Sequence, residues 1–166
     1  LFRSSTMRDN GGEDSADLIE FLAYSGCRLA EVVGDSTQGK PPIVWGDVDF
    51  DRGVFTVAGK GRGDEGKSRT APLFPPLERL ILSLKAKHPH GVKSGAAIFS
   101  IESARKSLET ACCRLGLPKY KHHTMRHFFC SNCIEAGIDF KVIAGWLGHS
   151  DGGVLVARTY GHLRNE

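Results

Sequence analysis

The sequence predicts an α+β fold that is mostly helical, with about six helices around a small three-stranded antiparallel sheet. Three observations predict it. Apolar residues recur at helical spacing in several segments that glycines and prolines separate. One stretch, residues 44 to 73, is instead rich in β-branched and aromatic residues around a glycine-rich turn. The length of 166 residues suits a single domain with a substantial core.

The chain begins with a polar segment, and the first helix follows it. Residues 1 to 13 lack the apolar core of a signal peptide, so we expect a disordered or vector-derived leader. Residues 14 to 166 are then expected to form the single domain. Helical spacing is clear over residues 14 to 25, and Gly26 is a predicted helix stop. The apolar residues that share one face of this helix are Leu18, Phe21 and Leu22.

The sheet is predicted next along the chain. A short helical piece covers residues 27 to 33, and a loop rich in glycine and proline follows over residues 34 to 42. Within the strand-rich stretch, residues 54 to 58 can pair with residues 70 to 73 across a long glycine-rich connection. Lys60 lies where the first of these strands enters that connection.

Helices are predicted again after the sheet. Pro75-Pro76 opens the first of them, in which four apolar residues follow helical spacing. The remaining helices are predicted over residues 104 to 115, 124 to 136, 139 to 147 and 155 to 160. Asp139 is a predicted N-cap, and Gly148 permits a left-handed turn that would project His149 sideways.

Composition excludes several classes of protein. Hydrophobic content of 40% and charged content of 25% are ordinary for a globular protein, and no apolar stretch could span a bilayer. A net charge of +3 is too small by itself to indicate a nucleic-acid partner. The charge is nevertheless polarised along the chain. All charged residues between positions 13 and 20 are acidic, whereas positions 110 to 134 contain basic residues and histidines but no acidic residue.

The five cysteines do not suggest a secreted framework of disulfides. Their number is odd, and two of them, Cys112 and Cys113, are adjacent. Cys130 and Cys133 have the Cys-x-x-Cys spacing of zinc and redox sites, but they lie inside an apolar helix without a second ligand pair. We therefore predict buried free thiols there and a reducing cytosol for the protein.

Five polar groups, in a fixed order along the chain, could break a phosphodiester without a metal. They are Arg28, His123, Arg126, His149 and Tyr160. Guanidinium groups match the geometry of phosphate oxygens, and imidazoles move or donate protons near neutral pH. A phenol can serve as a covalent nucleophile where cations stabilise the phenolate. His123 and Arg126 are three residues apart at a helix start, where free amides and the helix dipole favour phosphate.

Each of these groups also has a purely structural interpretation when it is taken alone. The histidines and arginines could be surface, capping or core residues, and Tyr160 could be a packing residue. His127 is interpreted as a packed, hydrogen-bonded helix residue, and Tyr24 as a core residue. Lys60 could be an ordinary hairpin lysine, and its glycine-rich turn lacks the pattern of an ATP-binding loop. The ordered set is what favours catalysis.

Taken together, the motifs closely resemble the catalytic domain of the tyrosine recombinase (phage integrase) family. The matching positions are Arg28 and Glu31 in SGCRLAEV, Lys60 in VAGKGRGDEGKSRTAPL, His123, Arg126 and His127 in HHTMRHFF, His149 in WLGHSDGG, and Tyr160 in RTYGHL. The resemblance covers residues 14 to 164 and implies the fold of that catalytic domain. The usual N-terminal DNA-binding domain is not part of this sequence, so the chain resembles a catalytic fragment.

The resemblance implies a site-specific recombination enzyme that cuts and rejoins DNA in phage or mobile-element integration. Arg28 and Arg126 would hold the nonbridging oxygens of the scissile phosphate, and His149 would donate a hydrogen bond to it. Glu31 would orient Arg28. No metal or other cofactor is implied, because the phosphotyrosyl bond itself conserves the energy of the phosphodiester.

The remaining roles implied by the resemblance concern the nucleophile and the protons. Tyr160 would attack phosphorus to give a 3′-phosphotyrosyl linkage and a free 5′-hydroxyl. Lys60 would protonate the leaving oxygen, with Lys67 as the alternative lysine, and His123 would assist proton transfer with the phenol. The alternatives are a type IB topoisomerase, a truncated inactive DNA-binding domain and a metal-dependent nuclease. The nuclease is disfavoured because no carboxylate cluster suits magnesium.

The implied partner is double-stranded DNA. The resemblance implies a homotetramer on DNA for the full-length protein, whereas this fragment alone could be a monomer. Four basic residues near the site motifs are candidate DNA contacts: Arg62, Lys67, Lys119 and Lys121. No membrane partner is expected. The resemblance implies a cytoplasmic, nucleoid-associated bacterial protein, and it leaves open the DNA sequence and whether Tyr160 acts in its own subunit or a neighbour's.

Overall fold

The computed structural model describes residues 5–9, 12–59, 68–149 and 151–164. Over these ranges the α-helices are α1 Ser5–Arg8, α2 Glu13–Ser25, α3 Leu29–Val32, α4 Pro75–Ala86, α5 Arg105–Arg114, α6 His122–Glu135, α7 Phe140–Leu147 and α8 Val154–Tyr160. Short 3₁₀ helices cover Ser36–Gln38, Trp45–Asp47 and Gly161–Arg164. Within the described ranges no helix combines the length and the apolar character needed to cross a bilayer.

The sheet has three antiparallel strands in the order β1-β2-β3, as predicted. The strands are β1 Val48–Asp49, β2 Val54–Val57 and β3 Arg69–Pro72. Phe55 pairs with Val48 on one side and with Ala71 on the other, so β2 is central. The connection between β2 and β3 carries Lys60, Arg62 and Lys67, and these three residues lie outside the described ranges.

The predicted helices and their stops are confirmed, and the mostly helical α+β fold is correct. Gly26 ends α2 and Gly148 ends α7, each in the left-handed conformation, with φ of 67° and 70° respectively. A side chain at either position would be strained, so glycine is required for these sharp turns. The side chain of Asp139 caps α7 by accepting a hydrogen bond from the Lys141 amide.

The expected leader differs from the structure over residues 5 to 8. Helix α1 forms there, and its Met7 is only 2% exposed in the main core. Arg8 adds ion pairs to Asp17 at 2.6 Å and to Glu20 at 3.1 Å on α2. One turn of helix is too short for its periodicity to show in the sequence, and these tertiary contacts stabilise it.

The core is divided into two groups of buried side chains. The larger group contains residues of α1, α2, α4, α5 and the sheet, with Phe21 and Phe55 in edge contact at 6.2 Å between ring centroids. The smaller group contains residues of α6, α7 and α8, including Phe129, Ile143 and Val156. Trp146 packs against both groups and so connects them.

Candidate active site

A cleft of about 290 Å³ brings together five of the six residues predicted as catalytic. Those five are Arg28, His123, Arg126, His149 and Tyr160, and they come from α3, α6, α7 and α8 or the ends of these helices. The sixth, Lys60, lies outside the described residues. The buried side chains of Leu147 and Val156 also line the cleft, so part of its surface is apolar.

Arg126 is the most firmly held of these residues. It is only 4% exposed, and its Nη1 donates to the carbonyl of Gly26 at 2.8 Å. Its Nη2 donates to the carbonyl of Leu147 at 2.6 Å. Burial and the positive charge of Arg28 lower the pKa of Arg126 to about 10, but the guanidinium still carries its charge at neutral pH. The two helix ends at Gly26 and Leu147 therefore fix a cation in the cleft.

His149 has one ring nitrogen bonded and the other without a partner. Its Nε2 lies 3.1 Å from Nη2 of Arg126, and because a guanidinium only donates, Nε2 must accept. In the neutral ring the proton is then on Nδ1, which is buried and has no hydrogen-bond partner among the described residues. Burial, followed by the charge of Arg126, lowers the pKa of His149, which favours that neutral ring. His149 thus offers one free N–H.

Arg28 lies at the start of α3 and is oriented by Glu31, as the sequence suggested. Its Nη1 donates to Oε1 of Glu31 at 3.1 Å, and its backbone amide donates to Oε2 at 2.7 Å. The side chain of Arg28 stays 46% exposed whereas that of Glu31 is 9% exposed. The guanidinium is therefore tethered on one side and open to the cleft on the other.

Arg69 on β3 is a positioning residue that the sequence reasoning missed. It binds the Glu31 carboxylate with two parallel hydrogen bonds of 3.0 and 2.7 Å, and its Nε donates to the carbonyl of Trp146 at 2.7 Å. Burial raises the pKa of Glu31, but the bonds from Arg69 and Arg28 outweigh this effect and lower the pKa below its ordinary value. The sequence did contain a sign that Arg69 faces inward. Side chains alternate along a strand, so Arg69 lies on the same face of β3 as the buried Ala71.

The prediction for His127 is correct in part, because it is a helix residue with a hydrogen bond. It is exposed rather than packed, and its Nδ1 is hydrogen-bonded to the hydroxyl of Tyr160. The ring of His123 packs edge-on against that of His127, with 4.7 Å between centroids. Burial and the Cys130 thiol raise the pKa of Tyr160 to about 12, although the charge of Arg126 opposes the shift. The ring in contact with the phenol is thus that of His127.

The other histidines and cysteines near the site have structural roles. His122 accepts a hydrogen bond on Nε2 from the Ala104 amide at 3.2 Å, which joins α6 to the start of α5. Cys130 and Cys133 are free and buried, as predicted. Burial raises the pKa of these thiols to about 11 and about 12, so both are protonated at neutral pH.

Two of the four candidate DNA contacts are visible. Lys119 and Lys121 are exposed in the segment that leads into α6, immediately before the histidines of the site. Arg62 and Lys67 lie outside the described residues.

Comparison with known proteins agrees with this geometry. A sequence model described as the phage integrase family matches residues 5–166. Tyrosine recombinase XerC of Xanthomonas campestris pv. campestris (strain B100) is 30% identical over 157 residues, which cover 88% of this chain and 43% of that protein. Tyrosine recombinase XerD of Neisseria meningitidis serogroup A / serotype 4A (strain DSM 15465 / Z2491) is 25% identical over 172 residues, covering 99% of this chain and 55% of that protein.

Solved structures share the fold at lower sequence identity. The crystal structure of XerA recombinase superposes with a TM-score of 0.66 at 17% identity, covering 98% of this chain and 63% of that one. The Tn1549 transposon integrase in complex with transposon right end DNA gives a TM-score of 0.67 at 19% identity. The superposition covers 94% of this chain and 58% of that one.

The chain spans about half the length of the curated relatives it matches, whereas the family model covers nearly all of its residues. The sequence motifs, the cleft in which five of the predicted residues meet, and the shared fold agree with that model. The chain therefore belongs to the phage integrase family.

Proposed function

We propose that this chain is the catalytic part of a site-specific DNA recombinase, which cuts and rejoins DNA strands through a 3′-phosphotyrosyl intermediate without a metal or other cofactor. Membership in the family supports this activity, and both curated relatives described above are named tyrosine recombinases. The phosphodiester of double-stranded DNA is the proposed substrate. The activity of the whole protein is part of the proposal, because this chain covers only part of its relatives.

One observation carries the proposal. Nε2 of His149 lies 3.1 Å from the Arg126 guanidinium and its buried Nδ1 has no described partner, while Arg28 and Tyr160 line the same cleft. A buried donor without a partner destabilises the folded protein unless a ligand satisfies it. A phosphate oxygen would accept from this N–H while the guanidinium groups neutralise the charge.

The phosphate-binding residues would act mainly in the transition state. Negative charge increases on the nonbridging oxygens as phosphorus becomes five-coordinate. Arg126 is already fixed by two backbone carbonyls, and Arg28 is tethered by Glu31, so little reorganisation is needed when that charge develops. His149 would contribute its hydrogen bond to the same oxygens.

The nucleophile and the leaving group would complete the reaction. The Tyr160 oxygen would attack phosphorus and form the P–O bond of a 3′-phosphotyrosine while the bond to the 5′-oxygen breaks. Lys60 would protonate that 5′-oxygen, and Lys67 remains the alternative donor. Tyr160 lines the cleft of its own chain, so we propose that it cuts in its own subunit. His123 would support proton transfer from the phenol.

Double-stranded DNA is the proposed partner, in a homotetramer for the full-length protein. Two proteins of similar fold have been solved with DNA, namely XerH site-specific recombinase bound to palindromic difH substrate and the Tn1549 transposon integrase. In this chain, Arg62, Lys67, Lys119 and Lys121 are proposed phosphate contacts. Residues 5 to 166 would form the catalytic domain, since α1 packs in its core and the family model matches this range.

Covalent trapping tests the proposal. The protein, with any residues that precede this chain in the full-length form, is incubated in EDTA with nicked duplexes whose sequence is randomised around the nick. Loss of the short strand next to the nick prevents rejoining, so a cut strand stays attached to the protein. We expect an SDS-resistant adduct with the wild type and none with Tyr160→Phe. An adduct formed by Tyr160→Phe, or none formed by the wild type, would contradict the proposal.

A second measurement distinguishes recombination from topoisomerase activity and from DNA binding alone. Trapped adducts are offered a different strand with a free 5′-hydroxyl, and plasmid relaxation is assayed in parallel. A recombinase joins the new strand. A topoisomerase relaxes the plasmid and prefers the original strand, and an inactive DNA-binding domain does neither.

A further inference from the structure

We infer that His127 is a catalytic residue that accepts the hydroxyl proton of Tyr160 through its Nδ1 when the tyrosine attacks. The inference rests on the proposed function, and it assigns to His127 a role that the motifs alone would give to His123. It is carried by the contact between Nδ1 of His127 and the hydroxyl of Tyr160. The two rings also pack against each other, with 5.8 Å between centroids and an interplanar angle of 54°.

The elements that carry the two groups make this contact specific. His127 is on α6, one residue after the buried Arg126, so its backbone position is fixed together with that of the phosphate-binding cation. Tyr160 is the last residue of α8, which packs on α6 and α7 through the buried Val156. The phenol therefore reaches the face of α6 that carries His123 and His127, in the same cleft as Arg126.

Proton transfer from Tyr160 requires one particular form of the His127 ring. Nδ1 can accept a proton only if the neutral imidazole carries its hydrogen on Nε2. The edge of one histidine ring meets the face of the other where His123 packs on His127, with an interplanar angle of 88°. Burial, followed by the charges of His127, Arg126 and Arg28, lowers the pKa of His123, the ring that packs on His127.

Tyr160 needs such an acceptor. Burial raises its pKa to about 12, so the phenolate is scarce near neutral pH even though Arg126 lowers the cost of the charge. A base that already touches the hydroxyl can remove the proton as the oxygen–phosphorus bond forms. A histidine is suited to this because its ordinary pKa lies near neutral pH.

The proton and electron balance is complete without a further reactant. The O–H bond of Tyr160 breaks, its proton moves to Nδ1 of His127, and its electron pair forms the new bond to phosphorus. The bond between phosphorus and the 5′-oxygen breaks, and that oxygen takes a proton from the proposed general acid, Lys60. In the rejoining step the same proton returns from His127 to the phenol.

The test compares three side chains at position 127 under single turnover on a trapped duplex. Asparagine places an oxygen near the position of Nδ1, so His127→Asn can keep a hydrogen bond to Tyr160 but cannot take up the proton. His127→Leu removes both. His90, an exposed histidine of a surface turn, supplies the matched control His90→Asn. We expect both His127 variants to form adduct about 100-fold more slowly than the wild type, and His90→Asn to be unchanged.

A fluorinated tyrosine at position 160 separates proton transfer from positioning. Fluorine lowers the phenol pKa, so the attacking group depends less on a base. We expect 3,5-difluorotyrosine at position 160 to restore most of the rate lost in His127→Asn but little of that lost in Arg126→Lys. Adduct formation by His127→Asn at the wild-type rate, or a loss that fluorination leaves unchanged, would overturn the inference. Absence of adduct in the wild type would instead overturn the proposed function.

A measurement without DNA keeps the inference testable in this chain alone. Nitrogen-15 NMR of the histidine rings distinguishes a protonated from an unprotonated Nδ1. For neutral His127 we expect an unprotonated Nδ1 whose shift changes in Tyr160→Phe, because the phenol donates to it. A protonated Nδ1 in the neutral ring, or a shift that Tyr160→Phe does not alter, would overturn the assignment.

Discussion

The two sides of the cleft are built differently. The arginine side, which consists of Arg28, Glu31, Arg69 and Arg126, is tied to backbone carbonyls at Gly26, Trp146 and Leu147. The tyrosine side, which consists of His127 and helix α8 with Tyr160, has one buried apolar residue on its helix, Val156. Two further apolar residues of α8, Val154 and Leu155, are 67% and 51% exposed.

This difference matches what the two sides must do. Groups that stabilise a transition state by charge act best when they are already in position, because no energy is then spent in reorganising them. A nucleophile that forms and later breaks a covalent bond must move toward phosphorus and back. Changes on the arginine side should therefore affect stability and activity together, while changes on the tyrosine side should affect activity alone.

The largest loss of stability is expected for Gly26→Ala on the arginine side. Gly26 has a φ of 67°, and an added Cβ would lie 2.5 Å from Cδ1 of Phe129 and 2.9 Å from Cδ2 of Leu147. Left-handed strain and overpacking together should reduce the free energy of unfolding by about 3 kcal/mol. Denaturant titration measures this loss.

The matched control is Gly39→Ala. Gly39 has a similar φ of 62°, but an added Cβ would have no atom within 4 Å. Only the backbone strain remains there, so we expect a loss of about 1 kcal/mol. The Gly26 carbonyl accepts a hydrogen bond from Arg126. Equal losses of unfolding free energy in the two variants would show that tight packing of Gly26 against Phe129 and Leu147 does not hold this carbonyl in place.

The second largest loss is expected for Arg69→Met. Methionine keeps the apolar part of the side chain but removes one of the two described cations that pair with Glu31. The Glu31 side chain is 9% exposed, and only Arg28 among the described residues would still pair with it. An incompletely paired and largely buried charge should cost about 2 kcal/mol in unfolding free energy. Thermal and denaturant unfolding measure the loss.

A double-mutant cycle identifies the origin of that loss. If the incompletely paired carboxylate of Glu31 is the cause, the double variant Arg69→Met with Glu31→Gln should have a larger free energy of unfolding than Arg69→Met alone. Adduct formation should fall in both variants, since Glu31, which tethers Arg28, loses the two hydrogen bonds from Arg69 that hold it. Additive losses would show that Arg69 acts through the carbonyl of Trp146 instead.

Much of the fold could be predicted because its signals are local. Helical spacing and the glycines at positions 26 and 148 indicated the helices that carry the site and the turns that end them. Arg28, His123, Arg126, His149 and Tyr160 were identified by residue type and order, and the structure brings them into one cleft.

The missed features depend on contacts between distant parts of the chain. Arg69 binds a carbonyl 77 residues away, and His127 meets Tyr160 across 33 residues. Strand alternation places Arg69 on the buried face of β3, but it does not identify the partner, and neither pairing has a local signal of its own. Each pairing depends on how β3 and α8 pack on other elements. Helix α1 was missed for a related reason, because one turn is stabilised by Met7 and Arg8 rather than by its own sequence pattern.

Acid should destabilise the arginine side by a smaller amount than the removal of Arg69. The pKa of Glu31 is lower in the folded state than in the unfolded chain, so its contribution is complete above the unfolded value of about 4.5. That contribution is lost as pH falls through the folded value. We expect the unfolding free energy of the wild type to fall below about pH 5 more steeply than that of Glu31→Gln. Parallel pH curves would contradict the role given to Glu31.

The smallest change in stability is expected for Tyr160→Phe on the tyrosine side. The variant loses one hydrogen bond, to the exposed His127, and keeps the ring that packs beside Val156. Solvent can hydrate the histidine nitrogen, so the unfolding free energy should change by less than about 0.5 kcal/mol. Adduct formation should nevertheless be abolished, because no oxygen remains to attack phosphorus. A loss of stability comparable to that of Arg69→Met would show that the tyrosine side is as firmly built as the arginine side, and that the nucleophile is held rather than free to move.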